Sequence, residues 1–140
     1  MFKTLCTRPA LVAGLLGSLL IAGTANAATR GEVGDVPFVN GGITQPEAEQ
    51  MRQEAVRYPL EVVLAQRGEG GHNDFLAGAQ LRVTDASGRV VFERRDAGPI
   101  LLADLPDGAY TVEATSNGQT QTRHVRIAGS EHEKVTFLWQ

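Results

Sequence analysis

Cysteine is nearly absent from this 140-residue chain. The single thiol, Cys6, precedes the apolar run near the start, so residues 28–140 carry none. No disulfide can staple that part, and its core must hold by itself. Lysine is almost as scarce, with Lys134 alone after residue 27. Together with a formal charge of −3, this argues against nucleic acid, whose binding needs clustered Lys and Arg. Only residues 11–23 form a long apolar run, so the remainder is not expected to span a membrane. Catalytic signatures are missing too. Beyond residue 27 the serines are Ser87, Ser116 and Ser130, none of them in G-x-S-x-G. His132-Glu133 is followed by Lys134 and Val135, so H-E-x-x-H is absent. Arg67-Gly68-Glu69-Gly70-Gly71 has the glycine of a phosphate loop without its spacing or its Lys-Ser/Thr.

A closed metal site needs about four convergent ligands. The histidines are His72, His124 and His132; with Val125 facing Val135 on paired strands, His124 sits opposite Thr136 and His132 falls near the turn, so at most two ligands with a nearby Glu gather. His72-Asn73-Asp74 is the nearest approach to a weak metal contact. No catalytic residue, metal ligand or cofactor is therefore expected, and an enzyme is not the favoured class.

What is present begins with a leader. Residues 1–27 read as a secretory signal peptide: Lys3 and Arg8 with no acid, an apolar stretch of h-region length, then Ala25-Asn26-Ala27 as a small-x-small cleavage site. Cleavage between Ala27 and Ala28 is expected to leave 113 residues, with the formal charge moved from −3 to −5. The location this implies is the periplasm or the exterior. A single domain of that size buries roughly two-thirds of its unfolded surface.

Residues 28–43, with four glycines and Pro37, read as an extended arm or linker. Residues 44–58 read as one short helix. Thr44-Gln45-Pro46-Glu47 is a capping box, in which Glu47 is expected to reach back to the cap. Glu49–Arg52 and Glu54–Arg57 are spaced i,i+3, and Ala48, Met51, Ala55 and Tyr58 make an apolar stripe. Pro59 ends the helix.

From there the period becomes two. Leu60, Val62 and Leu64 form the inward face of a first strand. Leu81 and Val83 mark a second, and Asp85-Ala86-Ser87-Gly88 turns it into a third over residues 89–94. A charged turn over 95–98 leads to a short fourth strand from Pro99, a proline that suits a sheet edge. Leu105-Pro106-Asp107-Gly108 has type I turn chemistry and feeds a fifth strand with Tyr110, Val112 and Ala114 on one side. Asn117-Gly118 predicts a type I′ hairpin into a sixth strand over 120–127. The last carries Val135, Phe137 and Trp139 on one face.

Leu76-Ala77-Gly78-Ala79-Gln80-Leu81-Arg82-Val83, Asp85-Ala86-Ser87-Gly88 and Asp104-Leu105-Pro106-Asp107-Gly108-Ala109-Tyr110 carry a resemblance. Over residues 60–139 the chain resembles the carboxypeptidase regulatory-like domain family, a transthyretin-like β-sandwich used mostly as an accessory module. It looks like a small exported stand-alone member. Transthyretin-like folds also include a purine-pathway hydrolase ending Tyr-Arg-Gly-Ser, whereas this chain ends Thr136-Phe137-Leu138-Trp139-Gln140.

The expected architecture is all-β: a seven-stranded antiparallel β-sandwich of transthyretin/Ig-like type over residues 59–140, preceded by the helix and the arm. The expected function is non-enzymatic binding or scaffolding of an envelope protein partner. The alternative is a carbohydrate or small molecule held by the loops over 68–74 and 94–98, with Trp139 as the aromatic candidate.

Overall fold

The computed structural model describes residues 28–129 and 131–140. The expected signal peptide, and Ser130, lie outside the described residues. In chain order the elements are β1 (Thr29–Val33), β2 (Val36–Gly41), α1 (Gln45–Ala55), β3 (Leu60–Arg67), β4 (Asn73–Phe75), β5 (Ala79–Asp85), β6 (Val90–Ala97), β7 (Ile100–Ala103), β8 (Gly108–Ser116), β9 (Gln119–Ile127) and β10 (Glu133–Trp139). They form two sheets. One runs β1-β2-β7-β3-β10, with β4 also paired to β3, and the other runs β6-β5-β8-β9. The fold is mostly β with one helix. No helix among the described residues is long and apolar enough to cross a membrane.

Alternation puts every second side chain on one face. Leu60, Val62 and Leu64 of β3 meet Leu81 and Val83 of β5, Val112 and Ala114 of β8, and Phe137 of β10 in one core between the sheets, all fully buried. Leu105 plugs it and Tyr110 joins it. The Asn117-Gly118 hairpin forms with both residues at positive φ, 51° and 77°, as a type I′ turn requires.

The helix covers part of the outer face of the first sheet. Its stripe of Ala48, Met51 and Ala55 packs on Val39 of β2 and on Ile100 and Leu102 of β7, with Tyr58 beside it. Thr44 caps it by accepting from Glu47 N at 3.3 Å. The return bond of a capping box does not form, because the Glu47 carboxylate instead accepts from Gly42 N at 2.9 Å. Glu49–Arg52 pairs as spaced, at 3.0 Å. Glu54 turns to Arg30 of β1 rather than to Arg57, which ties the helix to the first hairpin.

Several sequence expectations are corrected. Residues 29–41 are not an arm but a β-hairpin, and β2 lies inside the sheet between β1 and β7. Val36 and Phe38 face the core while Val39 faces the helix. Burial on both faces erases the alternation that would have marked the strand. The strands therefore number ten among the described residues, not seven, with β4 formed inside the expected loop.

The strands are not all antiparallel, since β10 pairs with β3 in parallel, Leu60 opposite Glu133. This also separates His124 on β9 from His132, because β9 and β10 belong to different sheets. The strand after Pro99 is not an edge: β7 sits between β2 and β3 and is wholly buried. Pro99 is tolerated because it precedes the strand and only its carbonyl is used, accepting from Leu64 N at 2.8 Å. Finally, β6 continues to Ala97, so Arg95-Asp96-Ala97 is strand rather than turn.

Candidate functional site

Three turns meet at one end of the molecule: Gly34-Asp35 between β1 and β2, residues 86–89 between β5 and β6, and residues 104–107 before β8. Each is set by local chemistry. At the second, Asp85 Oδ1 accepts from Ser87 N (3.0 Å), Ser87 Oγ (2.6 Å) and Arg89 N (3.0 Å), an Asx-type turn. The Ser87 hydroxyl first, and then the Arg89 backbone N–H, hold the Asp85 carboxyl below its ordinary value. At the third, the Tyr110 hydroxyl donates to Pro106 O at 2.7 Å. This bond locks the turn to the strand that follows, as a tyrosine corner does. Burial, and then the negative charges of Asp85 and Asp107, push the Tyr110 phenol up.

Between these turns lies an open groove of about 440 Å³. Val36, Val90, Val91 and Pro106 supply its apolar side, and Asp35, Asp85, Arg89 and Tyr110 its polar side. Val90 is 46% exposed there, a large apolar side chain left in water. Asp85 and Tyr110 already spend their polar atoms on the turns. The described residues that line the groove include no Ser–His or carboxylate–His pair.

The other sequence-derived candidates lie elsewhere and apart. His72 and Asp74 are exposed at the opposite end, where Gly68 N donates to His72 O at 2.7 Å. His124 sits on the outer face of the second sheet, its Nδ1 3.2 Å from Thr111 Oγ1. Trp139 is not an open platform: it is 4% exposed, stacked with Phe137 at 6.1 Å, and its Nε1 donates to Gln119 O at 3.1 Å. Among the described residues no group of three or more His, Cys, Asp or Glu could hold a metal ion.

Sequence reasoning missed two polar anchors, Asn40 and Glu61, and gave a third, Glu47, the wrong partner. Asn40 of β2 accepts from Gly98 N at 2.6 Å and donates to Asp96 O at 3.2 Å, joining the first hairpin to the β6–β7 turn. Glu61, buried on β3, meets His132 Nε2 at 2.9 Å. The other ring nitrogen of that histidine is 2.8 Å from Tyr58 O. Glu47, in the first helical turn, is buried as well. Each partner is distant in the chain or outside the local motif, so only the strand pairing of β3 with β10 could have suggested one of them.

No protein-family model matches the chain, and no curated protein matches it.

Proposed function

We propose that the protein is a non-enzymatic exported module of the carboxypeptidase regulatory-like type, which binds an envelope protein partner through the groove at its turn end. The observation that carries this reading is Val90, exposed beside Val91 and Pro106 and flanked by Asp35 and Arg89. An apolar strip with charges of both signs beside it suits an apolar side chain of a partner, held in register by polar neighbours. Two stacked sheets and the Leu105–Tyr110 corner are consistent with the family resemblance. The apolar leader with Ala25-Asn26-Ala27 supports export.

A small-molecule ligand is the second reading, favoured by a groove volume within the range of about 300–1,000 Å³ typical of such sites. Burial of Tyr110, Phe137 and Trp139 weighs against a carbohydrate stacked on aromatic rings.

Deleting the first hairpin is no control, because it removes an interior strand. The test is capture from an envelope extract by residues 28–140, compared with Val90→Glu and with Val56→Glu, whose side chain is exposed elsewhere. A partner lost with Val90→Glu and retained with Val56→Glu is the expected result. Equal capture by both variants would overturn the groove as the contact.

A further inference from the structure

The Glu47 carboxylate is buried, and its Oε2 has no hydrogen-bond partner among the described residues. Its Oε1 is engaged by Gly42 N at 2.9 Å. No Lys, Arg or His pairs with it among the described residues. A buried carboxylate oxygen left unpaired is costly. The first turn of α1 favours a negative charge but supplies no donor to that oxygen.

Ala28 and the Oε1 side of this carboxylate lie over the same residue, Gly41. Thr29 is opposite Asn40 in the β1–β2 ladder, which places Ala28 beside Gly41. A Cβ added to Gly41 would lie 3.1 Å from both Cα and Cβ of Ala28 and would run into Glu47 Oε1. Glycine at position 41 is thus what lets the first described residue and the buried carboxylate meet over one backbone. Ala28 is half-buried there, packed against the cluster of Val39, Ala48 and Met51.

Ala28 is also the residue that follows the Ala25-Asn26-Ala27 cleavage pattern. We infer that Glu47 is the binding site for the α-ammonium of Ala28, created when the leader is removed. The inference rests on the export reading above. In the uncut chain the nitrogen of Ala28 belongs to a neutral amide with one N–H. Water hydrolyses the Ala27–Ala28 bond, Ala27 departs as a carboxylate, and the nitrogen takes up a proton to become an ammonium with three donors. An N-terminal amine is protonated at neutral pH. The new charge then lies beside a buried carboxylate that has no cationic partner among the described residues, and processing adds a charge-assisted contact that pins β1 to the helix.

The test uses residues 28–140 in three forms: a free Ala28 amine, an acetylated Ala28, and one extra glycine before Ala28. Each is made with Glu47 and with Glu47→Gln. The free chain should melt about 4–8 °C above both blocked forms, and the difference should vanish with Glu47→Gln. Equal melting of the free and blocked Glu47 chains would overturn the proposal. Should the glutamine chains not fold, the Gly42 amide resonance decides. It donates to the same carboxylate, so acetylation should shift it, and an unmoved resonance refutes the contact. Intact mass of the exported protein tests the export reading separately. A chain starting at Ala28 is expected. Another first residue overturns the processing reading, and the proposal with it, even where the melting difference is found.

Discussion

Phe38→Ala is the most direct probe of the interior position of β2. The ring is 5% exposed in the core between the sheets. It meets Phe92 of β6 edge to face, with centroids 5.5 Å apart and planes at 74°, and the Arg94 guanidinium lies 5.0 Å from its centroid. Removing a buried phenylalanine costs about 3–5 kcal/mol in transfer and cavity terms. That range already contains the loss of an aromatic pair of about 0.5–1.5 kcal/mol. Measured against a total stability of about 5–15 kcal/mol, this is a large fraction. With a urea slope of about 1–3 kcal/mol/M, the midpoint should fall by about 2 M at unchanged slope. Equilibrium urea unfolding of residues 28–140, followed by far-UV circular dichroism, measures it. Phe75→Ala is the matched control, because Phe75 is 45% exposed on the outer face beside Arg52. A Phe38→Ala loss within about 0.5 kcal/mol, the range of surface substitutions, would refute the placement of β2 inside the sheet.

Further outcomes are expected at the turns and the buried pair. Tyr110→Phe removes only the hydroxyl bonded to Pro106 O and should cost about 1 kcal/mol, read as a shift of the urea midpoint; no shift would mean the corner bond contributes nothing. The folded-state value of Asp85 is lowered, so its stabilisation is present above the unfolded-state value near 3.9 and is lost as pH falls through the folded one. The melting temperatures of native and Asp85→Ala chains should therefore differ at about pH 6 and approach each other toward about pH 2, and a gap constant with pH would contradict this. His132→Ala strands the buried Glu61 carboxylate and should destabilise by about 1–3 kcal/mol. Making Glu61→Gln in addition should recover part of the loss in the same urea assay, and a double variant less stable than His132→Ala would argue against a stranded charge.

Much of the second sheet was legible because its strands face the core on one side and water on the other. Leu81 and Val83, and Tyr110, Val112 and Ala114, alternate with polar residues, and Asn117-Gly118 names its own turn. The first sheet hid its middle. Val36, Phe38 and Val39 are apolar on both faces because the core lies on one side and the helix on the other, so the pattern of two disappears. β4, only three residues long, carries too little pattern to be seen. The groove was not legible at all, since it is made of turns that are remote in the chain and meet only once the sheets have stacked. Glu61 and His132 stand 71 residues apart in the chain, and nothing local marks either for the other. Glu47 was recognisable as a capping residue, but its turn toward Gly42 depends on where β2 passes.

The parallel pairing of β10 with β3 bears on when the molecule can assemble. In the second sheet β5–β6 and β8–β9 are joined by short turns, so these hairpins involve the local contacts that favour fast folding. The first sheet is threaded from both extremes of the chain: Phe38 must find Ala103, and Leu60 must find Glu133. Its closure needs β10, which follows every other described strand in the chain. Without β10 the core lacks Val135, Phe137 and Trp139, and apolar surface left open in this way is where partly folded chains aggregate. A chain truncated before β10 is expected to leave β3 without its parallel neighbour and the core without three of its members, so the seven residues of β10 close the first sheet and the core together.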